Sequence, residues 1–119
     1  MRSGALGSTT GRDGRQHVLI AAAALSLAAF AAPVAAAPQT HTIVMEATAF
    51  TPASLTVKRG DRVVWVNKDP FPHTATAAKV FDSKSVAPGK KWTYVANKAG
   101  TFDYVCSFHP TMHGTLKVE

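Results

Sequence analysis

The chain has 119 residues, enough for one domain, and sets 13 Lys/Arg against seven Asp/Glu for a formal charge of +6. Its single cysteine excludes an internal disulfide framework, and its cations are scattered with acids between them, which excludes a nucleic-acid-binding arm or basic helix face. What remains is an ordinary solvated basic surface, suited to an acidic partner.

The first third of the chain reads as a targeting segment. Arg2, Arg12 and Arg15 precede an alanine-rich apolar stretch from Val18 to about Ala36, which runs into Pro38. This is the pattern of a secretory signal over residues 1–36, with small residues at Val34 and Ala36 placing cleavage after Ala36 and Ala37 first in the mature chain. An uncleaved anchor is the competing reading, since Val18 to Ala37 nearly reaches the roughly 20 apolar residues that a membrane span needs, but so many alanines make the stretch weakly hydrophobic. The absence of an Arg-Arg pair and of a cysteine near the cleavage site argues against twin-arginine export and a lipid anchor. The expected destination is the periplasm or the cell exterior, with no membrane association after cleavage. Residues 37–119 then form the mature domain, 83 residues with ten Lys/Arg and six Asp/Glu.

After Pro38 the chain reads as strands and turns throughout, and the dominant hydrophobic period is two. Ile43, Met45 and Ala47 alternate with mostly polar neighbours, as do Leu55 and Val57 ahead of the turn at Arg59-Gly60-Asp61; Val63 to Val66 form an apolar run through Trp65. Trp92, Tyr94 and Ala96 alternate in turn, Ala99-Gly100 makes a bend, and Phe102, Tyr104 and Cys106 share one face of the next strand. Gly114 to Val118 is expected as the last strand. Pro70, Pro72 and Pro88-Gly89 fall between runs, where proline removes no ladder hydrogen bond. About seven or eight short strands, with no helical period of useful length, indicate an all-β sandwich or Greek-key barrel.

The chemistry concentrates between Tyr104 and Leu116. Cys106, His109 and Met112 stand at Cys-x2-His-x2-Met spacing behind an apolar run, and a further imidazole, His73, lies upstream between Pro72 and Thr74. Taken singly, each has a bland explanation: a buried cysteine serves as a small hydrophobe, a methionine as core filler, a histidine as a surface or hydrogen-bonded residue. Taken together they supply one thiolate, two imidazoles and one thioether, the His2Cys set with a weak axial Met that characterises blue-copper electron-transfer sites. Zinc accepts Cys and His but rarely a thioether, so donor softness favours copper. An exported lone thiol also needs burial or a metal to escape oxidation.

The ordered series Phe50-x-Pro52-x-x-Leu55-Thr56-Val57-x-x-Gly60-Asp61-x-Val63-x-Trp65-x-Asn67, Phe71-Pro72-His73-Thr74 and Gly100-Thr101-Phe102-x-Tyr104-x-Cys106-x-x-His109-x-x-Met112-x-Gly114 resembles the small bacterial cupredoxins, amicyanin-like and plastocyanin-like, over essentially all of residues 40–119. The resemblance implies one type 1 copper ion cycling between Cu(I) and Cu(II), with His73, Cys106 and His109 equatorial and Met112 axial. It also implies that Asn67 reaches across to Ser107 and ties the ligand loops, the alternative being a strand-end Asn that bonds its own turn. Two departures stand out: Thr74 where the best-known members have Asn, and Phe108 where many have Pro. The function implied is one-electron transfer by a monomer, docking redox partners near Phe71, Pro72, Phe108 and Pro110 around a solvent-facing edge of His109. A copper carrier or storage protein is the alternative. An enzyme of the multicopper kind is disfavoured, because the mature chain has only His41, His73, His109 and His113. His41 and His113 are expected at the surface.

Overall fold

The computed structural model describes Gly4, Gly7, Gly11, Gly14 and residues 19–34 and 36–119. It divides into two compact units, Met1–Pro33 and Val34–Glu119. In the first, residues 19–33 form neither helix nor strand, and Arg2, Arg12, Arg15 and Val18 lie outside the described residues, as does Ala35 in the second unit. No helix among the described residues is long and apolar enough to cross a membrane.

The second unit is all-β. Its nine strands are β1 (Thr40–Glu46), β2 (Ala49–Thr51), β3 (Ser54–Val57), β4 (Arg62–Asn67), β5 (Thr76–Ala77), β6 (Phe81–Asp82), β7 (Lys91–Val95), β8 (Gly100–Cys106) and β9 (His109–Val118). They form one sheet in the order β2-β1-β4-β7 and another in the order β3-β9-β8-β5-β6. The β1–β4 and β3–β9 pairs are parallel and the rest antiparallel. The count exceeds the seven or eight read from periodicity because β5 and β6 are two residues each, too short to show alternation.

The period-two pattern resolves as expected into a buried face on each sheet. Ile43 and Met45 of β1, Val63 and Trp65 of β4, Tyr104 of β8 and Leu116 of β9 are all buried between the sheets. Trp65 is the centre of an aromatic cluster, with ring centroids 5.4 Å from Phe81, 5.5 Å from Trp92 and 5.5 Å from Tyr104. Burying side chains of this size contributes about 1.5–3 kcal/mol each. Tyr104 stands opposite Gly114 in the β8–β9 ladder, and a Cβ at Gly114 would overlap its phenol. Glycine is therefore required there by space alone. Enclosure also pushes the Tyr104 phenol up to about 12 by desolvation.

The last strand begins earlier than Gly114. Val105 pairs with His113 but Cys106 pairs with His109, so the register jumps and Pro110, Thr111 and Met112 bulge from the ladder. His109 and Met112 thus belong to a bulged strand instead of a free loop. Between Cys106 and His109 only Ser107 and Phe108 make the turn.

One polar node closes the opposite end. The Asp61 carboxylate accepts hydrogen bonds from the Gln39 N–H (2.9 Å) and the Lys58 N–H (3.0 Å) and lies 2.9 Å from His41 Nε2. His41 is thus engaged and only half-exposed, not a free surface residue. The Gln39 N–H foremost, then His41 and the Lys58 N–H, hold the Asp61 carboxyl at about 2, below its usual 3.8. A depressed folded-state value means that this stabilisation is present above about pH 4 and lost as pH falls through about 2. Asp61→Asn should lower the melting temperature at pH 7, and its deficit relative to wild type should shrink steadily from pH 4 to pH 2 in thermal unfolding followed by circular dichroism.

Candidate metal centre

Three polypeptide segments converge at one end of the sandwich. Asn67-Lys68-Asp69-Pro70-Phe71-Pro72 leads from β4 to His73, which forms an isolated bridge with Val86. Cys106 ends β8 and His109 opens β9. Cys106 Sγ lies 3.6 Å from His73 Nδ1 and 3.6 Å from His109 Nδ1, and the three donor atoms all fall within 4.8 Å of one another. Nitrogen-to-sulfur separations of 3.6 Å suit a single ion bonded at about 2.0 Å to nitrogen and about 2.3 Å to sulfur. His73 and Cys106 are fully buried, His109 half-buried and Met112 buried in the bulge three residues on. Two imidazoles and a thiol, with a thioether buried three residues beyond His109, make a soft donor set that fits copper better than zinc.

The hydrogen bonds that orient these donors differ from expectation. Asn67 does not reach Ser107: its Nδ2 donates to the carbonyls of Phe71 (2.8 Å) and Val86 (2.9 Å), and its Oδ1 accepts from the Asp69 N–H (2.9 Å). Asn67 braces its own turn, because the loop bearing His73 folds back over the end of β4 and saturates the amide. The tie between the ligand segments falls to Thr74, whose Oγ1 accepts from the Ser107 N–H at 2.8 Å. The Thr74 N–H in turn points at Cys106 Sγ, 3.3 Å away. With its lone pair engaged by Ser107, the Thr74 hydroxyl is free to donate to Thr76 Oγ1 (3.0 Å), which donates to Asp82 Oδ1 (3.1 Å). The threonine that departs from the common asparagine therefore restores the link by a shorter side chain and a relay of hydroxyls.

Sequence reasoning passed over one residue entirely. Asp69 Oδ2 lies 2.6 Å from His73 Nε2, with both side chains buried. The Thr48 N–H chiefly, with the His73 imidazole and the Ala47 N–H, holds the Asp69 carboxyl below its usual value against desolvation. The available signal was its place four residues before His73 across two prolines, which compact the loop.

An apolar rim surrounds His109. Phe71 is 39% and Phe108 52% exposed, and Pro70, Pro72 and Pro110 are exposed with them. Phe71 contacts both ligand rings, with centroids 5.2 Å from His73 and 5.5 Å from His109. His113, next to Met112, is exposed and outside the donor group.

Residues 17–118 match the family described as a cupredoxin-like domain. The chain belongs to the cupredoxin family. Among its relatives are an amicyanin of Paracoccus versutus, 32% identical over 96 residues covering 73% of each chain, and a plastocyanin of Scenedesmus fuscus, 34% identical over 88 residues covering 59% of this chain and 86% of the relative. Solved structures agree: an oxidised amicyanin variant superposes with TM-score 0.64 at 26% identity over 67% of this cupredoxin and 82% of that chain. A copper-containing nitrite reductase of Thermus scotoductus superposes with TM-score 0.65 at 28% identity over 75% of this chain but only 24% of that one.

Removal of the Thr74 hydroxyl strands the Ser107 N–H. Thr74→Val should therefore cost about 1 kcal/mol in denaturant unfolding of the metal-free protein. Thr74→Ser should recover most of it.

Proposed function

We propose that this cupredoxin is an exported one-electron carrier, holding one copper ion through His73, Cys106, His109 and, weakly, Met112. The observation that carries the reading is the convergence of Cys106 Sγ on two Nδ1 atoms at equal 3.6 Å separations at the end of a rigid two-sheet sandwich. Bound there, copper supplies a single electron by cycling between Cu(II) and Cu(I).

The chain's own residues account for the rest. Electron transfer is fast when little rearranges, and the donors are held from both sides. The Ser107 N–H to Thr74 bond fixes the β8–β9 turn against the His73 segment, and the Asn67 amide fixes that segment against β4 and Val86. Burial of Cys106 and His73 excludes water, while half-buried His109 offers the route out. Phe71, Pro72, Phe108 and Pro110 frame that edge as a desolvated docking face for a redox partner. The mature charge of +4 favours an acidic one. Catalysis is not part of this reading, since further copper centres require histidines that residues 37–119 lack: His41 is spent on Asp61 and His113 stands apart.

The copper-loaded, oxidised protein should be intensely blue from thiolate-to-copper charge transfer, and Cys106→Ser should be colourless. Met112→Gln should lower the reduction potential and Met112→Leu raise it. A colourless wild type that prefers zinc would overturn the copper assignment, and prompt transfer of copper to an apo-acceptor on reduction would make metal delivery the better account.

Docking generates a separate expectation. Phe108→Lys should slow electron self-exchange severalfold, measured by NMR line broadening in mixed oxidation states, and leave the visible spectrum unchanged. An unchanged exchange rate would remove the rim from the electron path.

A further inference from the structure

The two imidazoles of the donor group are held differently. Among the described residues no side chain hydrogen-bonds Nε2 of half-exposed His109, whereas Nε2 of His73 meets a buried carboxylate at 2.6 Å. That carboxylate is itself immobilised. Asp69 Oδ1 accepts from the Ala47 N–H (2.8 Å), Oδ2 accepts from the Thr48 N–H (3.0 Å), and the Asp69 N–H donates to Asn67 Oδ1 (2.9 Å). Ala47 and Thr48 form the tight connection between β1 and β2, both with positive φ (52° and 55°), so that two successive N–H groups aim at one side chain.

From this geometry we infer that Asp69 is a positioning residue which fixes the tautomer of His73 and biases the bound metal toward its more highly charged oxidation state. The inference rests on the copper reading above. Its first half is a matter of donors and acceptors. Every other group around the carboxylate is an N–H, so the carboxylate acts purely as an acceptor and the hydrogen of His73 must sit on Nε2. In the neutral ring the lone pair is then on Nδ1, which faces Cys106 Sγ 3.6 Å away. The neutral ring in that tautomer presents its Nδ1 lone pair to a metal without turning over.

The second half is electrostatic. An anion hydrogen-bonded to the far side of a ligand imidazole makes that ring a stronger donor. It also places a fixed negative charge one ring away from the ion, in a buried setting where screening is weak. Both effects favour Cu(II) over Cu(I), the state with the larger positive charge. Asp69 therefore opposes the pull of the thioether toward Cu(I), and the potential is set by the contest between a carboxylate on the His73 side and Met112 in the bulge of β9. The Ala47-Thr48 turn, far in sequence from every ligand, is part of this apparatus because it holds the carboxylate in place.

The fold contains its own control. Asp61 also accepts two backbone N–H groups and pairs with an imidazole, His41 at 2.9 Å, yet neither belongs to the donor group. Three measurements decide the matter. In metal-free wild type, long-range nitrogen–proton NMR correlations should show His73 as the Nε2–H tautomer, with a slowly exchanging proton. In copper-loaded Asp69→Asn, competition with a chelator should show Cu(II) affinity weakened by about 10- to 100-fold, with Cu(I) affinity reduced less, and voltammetry should show a raised potential. Asp69→Glu, which keeps the anion, should lie closer to wild type. Asp61→Asn should lose stability and leave the potential and both affinities unchanged. An Nδ1–H tautomer in a wild type that turns blue with copper overturns the inference and spares the copper reading. So does an unchanged potential in a folded, blue Asp69→Asn. A wild type that binds no copper overturns the copper reading itself, and with it the claim on potential. Should the Asn variant not fold, the wild-type tautomer and Asp69→Glu still decide.

Discussion

The register of the β8–β9 hairpin is the constraint from which the site follows. Tyr104 opposite Gly114 admits no side chain at the glycine, so the two strands can approach only in this alignment. A one-residue slip would put a β-carbon into the phenol and turn Cys106 to the solvent face. Given that alignment, the jump between Val105 and Cys106 is accommodated by bulging Pro110 to Met112, which buries Met112 and leaves a two-residue turn between the thiol and His109. Two donors on one short hairpin can then be oriented by the ladder itself.

The remaining donor comes from the connection between β4 and β5, and its placement depends on polar groups. The His73 segment is fastened at three points: the Asn67 amide inside its own turn, Thr74 against Ser107, and Asp69 against the β1–β2 connection. Each bond joins segments that hydrophobic packing alone would leave free to slide by an ångström. That precision matters for a group of donors meant to hold one ion in two oxidation states. Opposed carboxylate–imidazole pairs at the two ends of the sandwich do different jobs: Asp61 with His41 fastens the start of the domain, while Asp69 with His73 fastens a member of the candidate donor group.

Exposed aromatic residues lie beside the donor group. Phe71 packs against the rings of both His73 and His109 and is still more than a third exposed, so one side chain covers the buried imidazole and faces solvent. Phe108, beside His109 in sequence, adds further exposed aromatic area.

Much of this was legible along the chain. Period two over Ile43–Met45 and Phe102–Cys106, with the apolar run Val63–Val66 between turns, sufficed for an all-β sandwich, although Ala47, which continues the alternation, lies exposed in the turn after β1. Cys106, His109 and Met112 were legible because they lie within seven residues, and their donor types point to copper without reference to anything distant. What the tertiary structure alone decided was everything that depends on partners 20 to 33 residues away: that Thr74 and not Asn67 meets Ser107, 33 residues on, that Ala47 grips Asp69 across 22, and that His41 is taken by Asp61 across 20. It also decided that the last strand starts at His109, since a bulge is a relation between two strands and neither sequence displays it. Local alternation records burial, but the choice among several competent hydrogen-bond partners is made by the path of the chain, and that path exists only once the sheets have packed.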